Sequence, residues 1–287
     1  MYSKKAVYFN YRSFASVLFL LIFPVTLILS GGSMSAGMLS LYPMLISILV
    51  AALIASPGLP RLLAINANAD IKQDKIKDAL KKTRLACRLP FVPVSVHIFA
   101  AYVFLLNGML EEARNKLDET REMDMTLPEK NKHTAILSLL EWLISGNPQK
   151  GIEALGDINR KGLDEAIYYA AGRMMNICME PAEARKFNEQ AMEFNPGNRD
   201  IMENLVVSYC RTGQDSNAKQ LFRNLYYDKK ATSDSFYHMA LLKIKDGKKD
   251  EAVDFLNAAL KIEEIATNIV KRSEIEDKLS DLRGSMI

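Results

Sequence analysis

Apolar and polar positions follow two different rules along this chain, and the change comes near Pro60. From Ser13 to Pro60 no Asp, Glu, Lys, Arg or His occurs. Beyond that point apolar residues recur every three to four positions between polar ones, the period of half-buried helices. The uncharged stretch is divided by the small-residue run Gly31-Gly32-Ser33-Met34-Ser35-Ala36-Gly37 into two apolar segments, 14–30 and 38–56. Each is long enough to cross ~30 Å of hydrocarbon as a helix. Helical structure satisfies every backbone polar group there, and Pro24 and Pro43 are tolerable as kinks beside a packed neighbour. The pattern predicts a transmembrane hairpin over residues 1–60.

Flanking charge orients that hairpin. Lys4, Lys5 and Arg12 precede it, and Arg61, Lys72, Lys75, Lys77, Lys81, Lys82, Arg84 and Arg88 follow it. The connecting loop carries no basic residue, so both ends are expected on the cytoplasmic side of a bacterial inner membrane. Two alternatives stay open. The first segment has the layout of a cleavable signal peptide. Residues 89–110, uncharged apart from His97, could form a third crossing that sends the remainder outside. Residues 61–93 read as a basic helical linker, with Leu62, Ile65, Ala69, Ile76, Ala79, Leu80 and Cys87 at roughly helical spacing. Basic residues in that position can gain ~1 kcal/mol each near anionic lipid.

Past the linker the sequence repeats itself, and self-similarity governs the fold expected there. Ala184, Ala218 and Ala252 are 34 residues apart. A glycine stands five positions before the small anchor at Gly108/Ala113, Gly146/Gly151, Gly213/Ala218 and Gly247/Ala252, while Met179 takes that place before Ala184. Alignment on these anchors gives five units, at about 94–130, 131–163, 164–198, 199–232 and 233–266. Each reads as helix, short polar turn and second helix. The turn glycine suits a left-handed C-cap. The small anchor lets the two helices approach closely, and Asn147-Pro148 marks a helix start.

With these residues in view the array resembles tetratricopeptide repeats. The third unit carries Tyr168, Gly172, Ala184, Ala191 and Pro196; the fourth Leu205, Tyr209, Gly213, Ala218 and Phe222; the fifth Phe236, Ala240, Gly247, Ala252 and Ala259. The first unit (Ala101, Phe104, Gly108, Ala113, Leu117) and the second (Trp142, Gly146, Gly151, Leu155) match more loosely. The resemblance implies an all-α chain: the two-helix transmembrane hairpin, then an α-solenoid of about five helix pairs over 94–266. Residues 267–287 are expected as a capping helix, since periodicity continues through 262–282 with many charges. It also implies a protein-binding concave face lined by first helices, with Tyr102, Tyr169, Arg173, Asn176, Glu203, Val207, Tyr237 and Leu241 on it. Aromatic and arginine side chains suit anchoring of a peptide or partner helix. The Lys, Asn and Arg set by which chaperone-binding members grip a carboxylate is not evident.

Composition narrows the chemistry. Net charge is +3 with acidic and basic residues mixed, and no basic stripe is interleaved with aromatics, which disfavours nucleic acid. Cys87, Cys178 and Cys210 are odd in number and far apart, so they read as reduced thiols. His97, His133 and His238 stand apart, and neither a metal-binding nor a phosphate-cradling motif occurs. The expectation is a non-enzyme without cofactor or metal: a membrane-anchored scaffold with protein partners in the cytoplasm or membrane and the bilayer itself. The layout is similar to the two-span repeat component of Pel-type exopolysaccharide systems, which implies a cyclic-di-GMP receptor and a glycosyltransferase as partners. An extracytoplasmic envelope or pilus assembly protein and an anionic-lipid-dependent surface regulator are the alternatives.

Overall fold

A computed structural model describes residues 56–73, 75–156, 163–227 and 231–285. The expected membrane hairpin lies outside them, apart from residues 56–60. Among the described residues there are thirteen α-helices and no strand, arranged as six consecutive hairpins and a terminal helix. The pairs are α1 (Gly58–Ile71) with α2 (Ile76–Cys87), α3 (Val94–Leu106) with α4 (Leu110–Asp118), and α5 (Leu127–Ser145) with α6 (Pro148–Leu155). They continue with α7 (Glu165–Cys178) and α8 (Pro181–Phe194), α9 (Arg199–Arg211) and α10 (Asp215–Tyr227), and α11 (Ser233–Lys245) and α12 (Lys249–Lys261). α13 (Arg272–Gly284) closes the array.

Local sequence explains where the helices start and stop. The carboxylate of Asp164 accepts from the amides of Ala166 and Ile167, and the Asn198 side chain accepts from Asp200 and Ile201, so α7 and α9 begin behind satisfied N-caps. Asn147 caps α6 by accepting from the Gln149 amide at 3.0 Å, with Pro148 in the first turn. α5 starts at Leu127 rather than 131 because Thr126 and Glu129 form a reciprocal capping box. Gly108, Gly146, Gly213 and Gly247 hold φ between 66° and 75° at the hairpin turns, a region costly to a residue with a Cβ. Before Ala184 the turn instead runs through Met179 in an extended conformation, and Pro181 restarts the helix.

Packing follows from the small anchors. Ala113, Ala184, Ala218 and Ala252 are fully buried. At Gly151 an added Cβ would stand 2.3 Å from Met174 Sδ and 2.7 Å from the Ser138 carbonyl oxygen, so only glycine permits this approach. Each first helix packs on the next first helix, from α3 through α5, α7, α9 and α11. The second helices wedge between them, which makes a continuous wall of first helices. The apolar interior runs along this wall from Ile98, Leu105 and Leu140 to Ile167, Met174 and Phe187. It continues through Val206 and Phe222, then ends at Leu256, Ile275 and Leu279 under α13. Each unit therefore buries its apolar side only against its neighbours.

Two sequence expectations change here, and the alternative of a third crossing finds no support. The linker is a hairpin: α1 and α2 stack on α3 through Ala67, Ala79 and Val103, forming a further pair before the five expected. The chain turns after Ile71, and the Asp70 carbonyl accepts from the amides of Gln73 and Lys75 at 2.9 Å. No Gly or Pro marks this turn. Within the uncharged segment 89–110 only Val94–Leu106 forms α3, which is about 20 Å long at 1.5 Å per residue and therefore short of the bilayer core. Its apolar residues are spent on α4 and α5. No helix among the described residues is long and apolar enough to cross a membrane. Finally, residues 262–271 are not helical; α13 begins only at Arg272.

Candidate functional site

All eight residues expected on the concave face lie on first helices of the wall: Tyr102 on α3, Tyr169, Arg173 and Asn176 on α7, Glu203 and Val207 on α9, Tyr237 and Leu241 on α11. Their environments differ. Asn176, Glu203 and Val207 are buried between neighbouring first helices. Asn176 donates to the Asn204 carbonyl at 2.7 Å and accepts from the Ser208 hydroxyl at 2.6 Å, tying α7 to α9. Glu203 accepts from the amide and hydroxyl of Thr232, both at 2.9 Å, and thereby fixes the residue that caps α11. Burial raises the Glu203 carboxyl to about 7, against the opposing effect of those Thr232 donors. These three residues hold consecutive pairs in register, and burial removes them from any surface a partner could touch in this conformation.

Tyr102, Tyr169 and Arg173 form one cluster. The guanidinium of Arg173 sits 5.8 Å from the centre of the Tyr169 ring. Burial pushes both phenols up, and at Tyr102 the neighbouring Tyr169 adds to the shift. Arg173 is only 4% exposed, yet it carries its charge because it makes an ion pair with Asp234, which is 1% exposed. Burial opposes that charge, and the facing Tyr169 and Asp234 outweigh it. On the last first helix, the Tyr237 hydroxyl donates to Glu274 of α13 at 3.2 Å, and burial with that carboxylate raises the phenol to about 12. Leu241 packs into the apolar cluster beneath α13.

What covers this face is the chain itself. Residues 262–271 leave α12, cross the wall of first helices, and return to start α13. The Ala266 amide donates to the Leu106 carbonyl at the end of α3, 2.9 Å away. Arg173 Nε donates to the Thr267 carbonyl. The Asn268 side chain donates to Ser233 Oγ at 2.8 Å. The Asp234 carboxylate accepts from the amides of Ile269 and Val270 at 3.2 and 2.9 Å. Lys77 of α2 lies 3.5 Å from Glu263, so this strap reaches the first helix pair. Within the strap, Thr267, Asn268 and Val270 are buried.

Sequence reasoning did not find Asp234, Ser233 or the strap. Arg173 and Thr267 are 94 positions apart, and Arg173 and Asp234 are 61 apart. No periodicity links such distant residues. The histidines remain separate, and among the described residues no group of His, Cys, Asp and Glu is placed to hold a metal ion. Cys87, Cys178 and Cys210 are free.

No family model matches the chain, and no curated protein matches it in sequence. A crystal structure of a tetratricopeptide repeat protein from Parabacteroides merdae is similar in fold, with a TM-score of 0.52 and 14% identity. The similarity covers 94% of this chain and 99% of that one. A thermophilic tetratricopeptide repeat protein from Thermus thermophilus gives a TM-score of 0.35 at 14% identity, over 79% of this chain and 99% of that chain. Together with the helix pairs, turn glycines and small anchors, the Parabacteroides likeness establishes the architecture: this chain is an α-solenoid of the tetratricopeptide repeat type.

Proposed function

We propose that this protein is a scaffold moored in a bacterial cytoplasmic membrane by residues 1–60, whose repeat array binds other proteins and brings them together at the membrane. The observation that carries the reading is the uninterrupted wall of first helices α3, α5, α7, α9 and α11, which aligns side chains from five pairs along one face. Tyr102, Tyr169 and Leu241 are the half-buried contact candidates on it, and Arg173 and Tyr237 are themselves buried. Asn176, Glu203 and Val207 support the wall from within. Mooring is supported by the uncharged run ending at Pro60, next to the basic residues of α1 and α2.

The finer proposal is that the assembled machine makes or exports exopolysaccharide in the Pel manner, with a cyclic-di-GMP receptor and a glycosyltransferase as partners. Its support is the order of two apolar segments followed by repeats. Affinity purification of the full-length protein in detergent tests it. Enrichment of both partners is expected; a preparation containing neither overturns the exopolysaccharide assignment. A reporter fused after Gly284 is expected to be active only on the cytoplasmic side. Activity on the outer side instead favours an envelope or pilus assembly role.

A lipid-surface role draws on a separate observation. Leu62, Ile65, Leu85 and Phe91 are all more than half exposed on the first pair and the loop after it, among basic residues. However, Lys77, Lys81 and Lys82 face Glu263, Asp78 and Asp70. If lipid dominates, neutralising Lys72, Lys75, Lys77, Lys81 and Lys82 abolishes localised function while partner binding persists.

A further inference from the structure

The geometry points to residues 262–271 as an internal ligand, which occupies a groove built to hold the main chain of a non-helical segment turned at 265–268, where the Asn268 amide donates to the Ile265 carbonyl at 3.0 Å, and yields it to a partner segment of the same chemistry. This rests on the proposal that the wall of first helices is the partner-binding face. The grip is on the backbone. Arg173 Nε donates to one carbonyl, at Thr267. The Asp234 carboxylate accepts from two successive amides, at Ile269 and Val270. The Leu106 carbonyl, left free at the C-terminus of α3, accepts from the Ala266 amide. A rigid donor fork and a carboxylate set at fixed spacing read a main chain of that shape whatever most of its side chains are.

Side-chain preference is written at the two ends of the strap. Glu263 faces Lys77 at the first pair, which favours an acidic residue there. At the other end the small polar Thr267 and Asn268 and the β-branched Val270 are enclosed, and the Asn268 amide meets Ser233 Oγ. The ligand class is therefore a protein segment able to adopt the same turn, with an acidic residue followed, four to seven positions later, by small polar and β-branched residues. The main-chain contacts of the strap to the wall are polar, while Val270 and Ile269 pack into the apolar cluster under α13. A second backbone offers Arg173 and Asp234 the same carbonyl and amides, so replacement leaves neither charge unpartnered. Tethering gives the strap an effective concentration on the order of millimolar, so it masks the groove against weak competitors.

The test uses the full-length protein in detergent and a fluorescein-labelled peptide with the sequence of residues 262–271, read by anisotropy. A strap-loosened variant, Ala266→Pro with Ile269→Pro, lacks two of the three strap amides that dock on the wall. It is expected to bind the peptide at least about tenfold more tightly than the unmodified protein, and a scrambled peptide is expected to bind neither. A folded variant that does not bind the peptide, or equal binding by both proteins, overturns the inference.

Hydrogen exchange on the unmodified protein is a second measurement that needs no variant. Amides of Ala266, Ile269 and Val270 are expected to exchange through local opening, at least about a hundredfold faster than those of Ala171 and Met174 in α7. Equal protection at both places overturns it as well. Peptide binding together with an absence of co-purifying proteins upholds the groove and sinks the scaffold. Co-purifying proteins without peptide binding give the converse.

Discussion

Replacing Arg173 by Ala tests the centre of the inner wall. Arg173 and Asp234 form a pair with side chains only 5% and 1% exposed, where removal of one partner costs about 3–5 kcal/mol. The carboxylate that remains still accepts from the amides of Ile269 and Val270. Arg173→Ala should therefore fall near the lower end, about 3 kcal/mol. Asp234→Ala strips the guanidinium of its counter-charge and two amides of their acceptor, so it belongs near the upper end, about 5 kcal/mol. Arg173→Ala with Asp234→Ala leaves no unpaired charge and should cost less than the sum by at least about 1.5 kcal/mol. Urea unfolding followed by fluorescence is the assay. The chain has one tryptophan, Trp142, buried in α5, so the signal reports the array and not residues 1–60. Additivity of the two single changes within about 0.5 kcal/mol would refute the coupled, strap-gripping pair.

The other predictions concern separate features. Gly151→Ala places a methyl against Met174 and the Ser138 carbonyl, and should lower stability by about 1–3 kcal/mol in the same unfolding assay; a neutral result contradicts the close approach of α6. Asn147→Ala removes the α6 cap and should cost about 1 kcal/mol, visible as a lower unfolding midpoint without a change in slope. Glu203 adds a pH dependence of opposite sign to an ordinary paired carboxylate. Its folded value, about 7, lies above the unfolded 4.5, so the folded state binds the extra proton and stability falls as pH rises from about 4.5 to 7. That difference corresponds to a loss on the order of 3 kcal/mol, and Glu203→Gln should flatten that part of the stability–pH curve. A slope that survives Glu203→Gln assigns the effect elsewhere.

The repeat units were legible because their signals are local. A turn glycine with positive φ, a small anchor five positions later and an Asn or Asp before the next helix all act within one unit. Met179 shows the limit of that code, since an extended residue and Pro181 make the same turn without glycine. The α1–α2 hairpin escaped notice because its turn is made by a backbone carbonyl, that of Asp70, in a run of charged residues compatible with unbroken helix. The strap was misread for a related reason. Residues 262–271 keep some apolar spacing, but tertiary bonds to Leu106, Arg173 and Asp234 replace the intrahelical ones. At the candidate site the sequence selected residues on the correct helices by register. It could not separate Asn176, Glu203 and Val207, consumed between helices, from Tyr169 and Arg173, because both sets share the same faces.

The strap's place across the wall can be measured directly by double electron–electron resonance. Spin labels would be attached at Lys77→Cys on α2 and Glu263→Cys on the strap, with Cys87, Cys178 and Cys210 changed to Ser. A single short-distance population is expected in the free protein, moving to longer distances as the peptide of residues 262–271 is added to saturation. A broad, long distribution before peptide is added, or a short one that saturating peptide leaves untouched, would contradict the account.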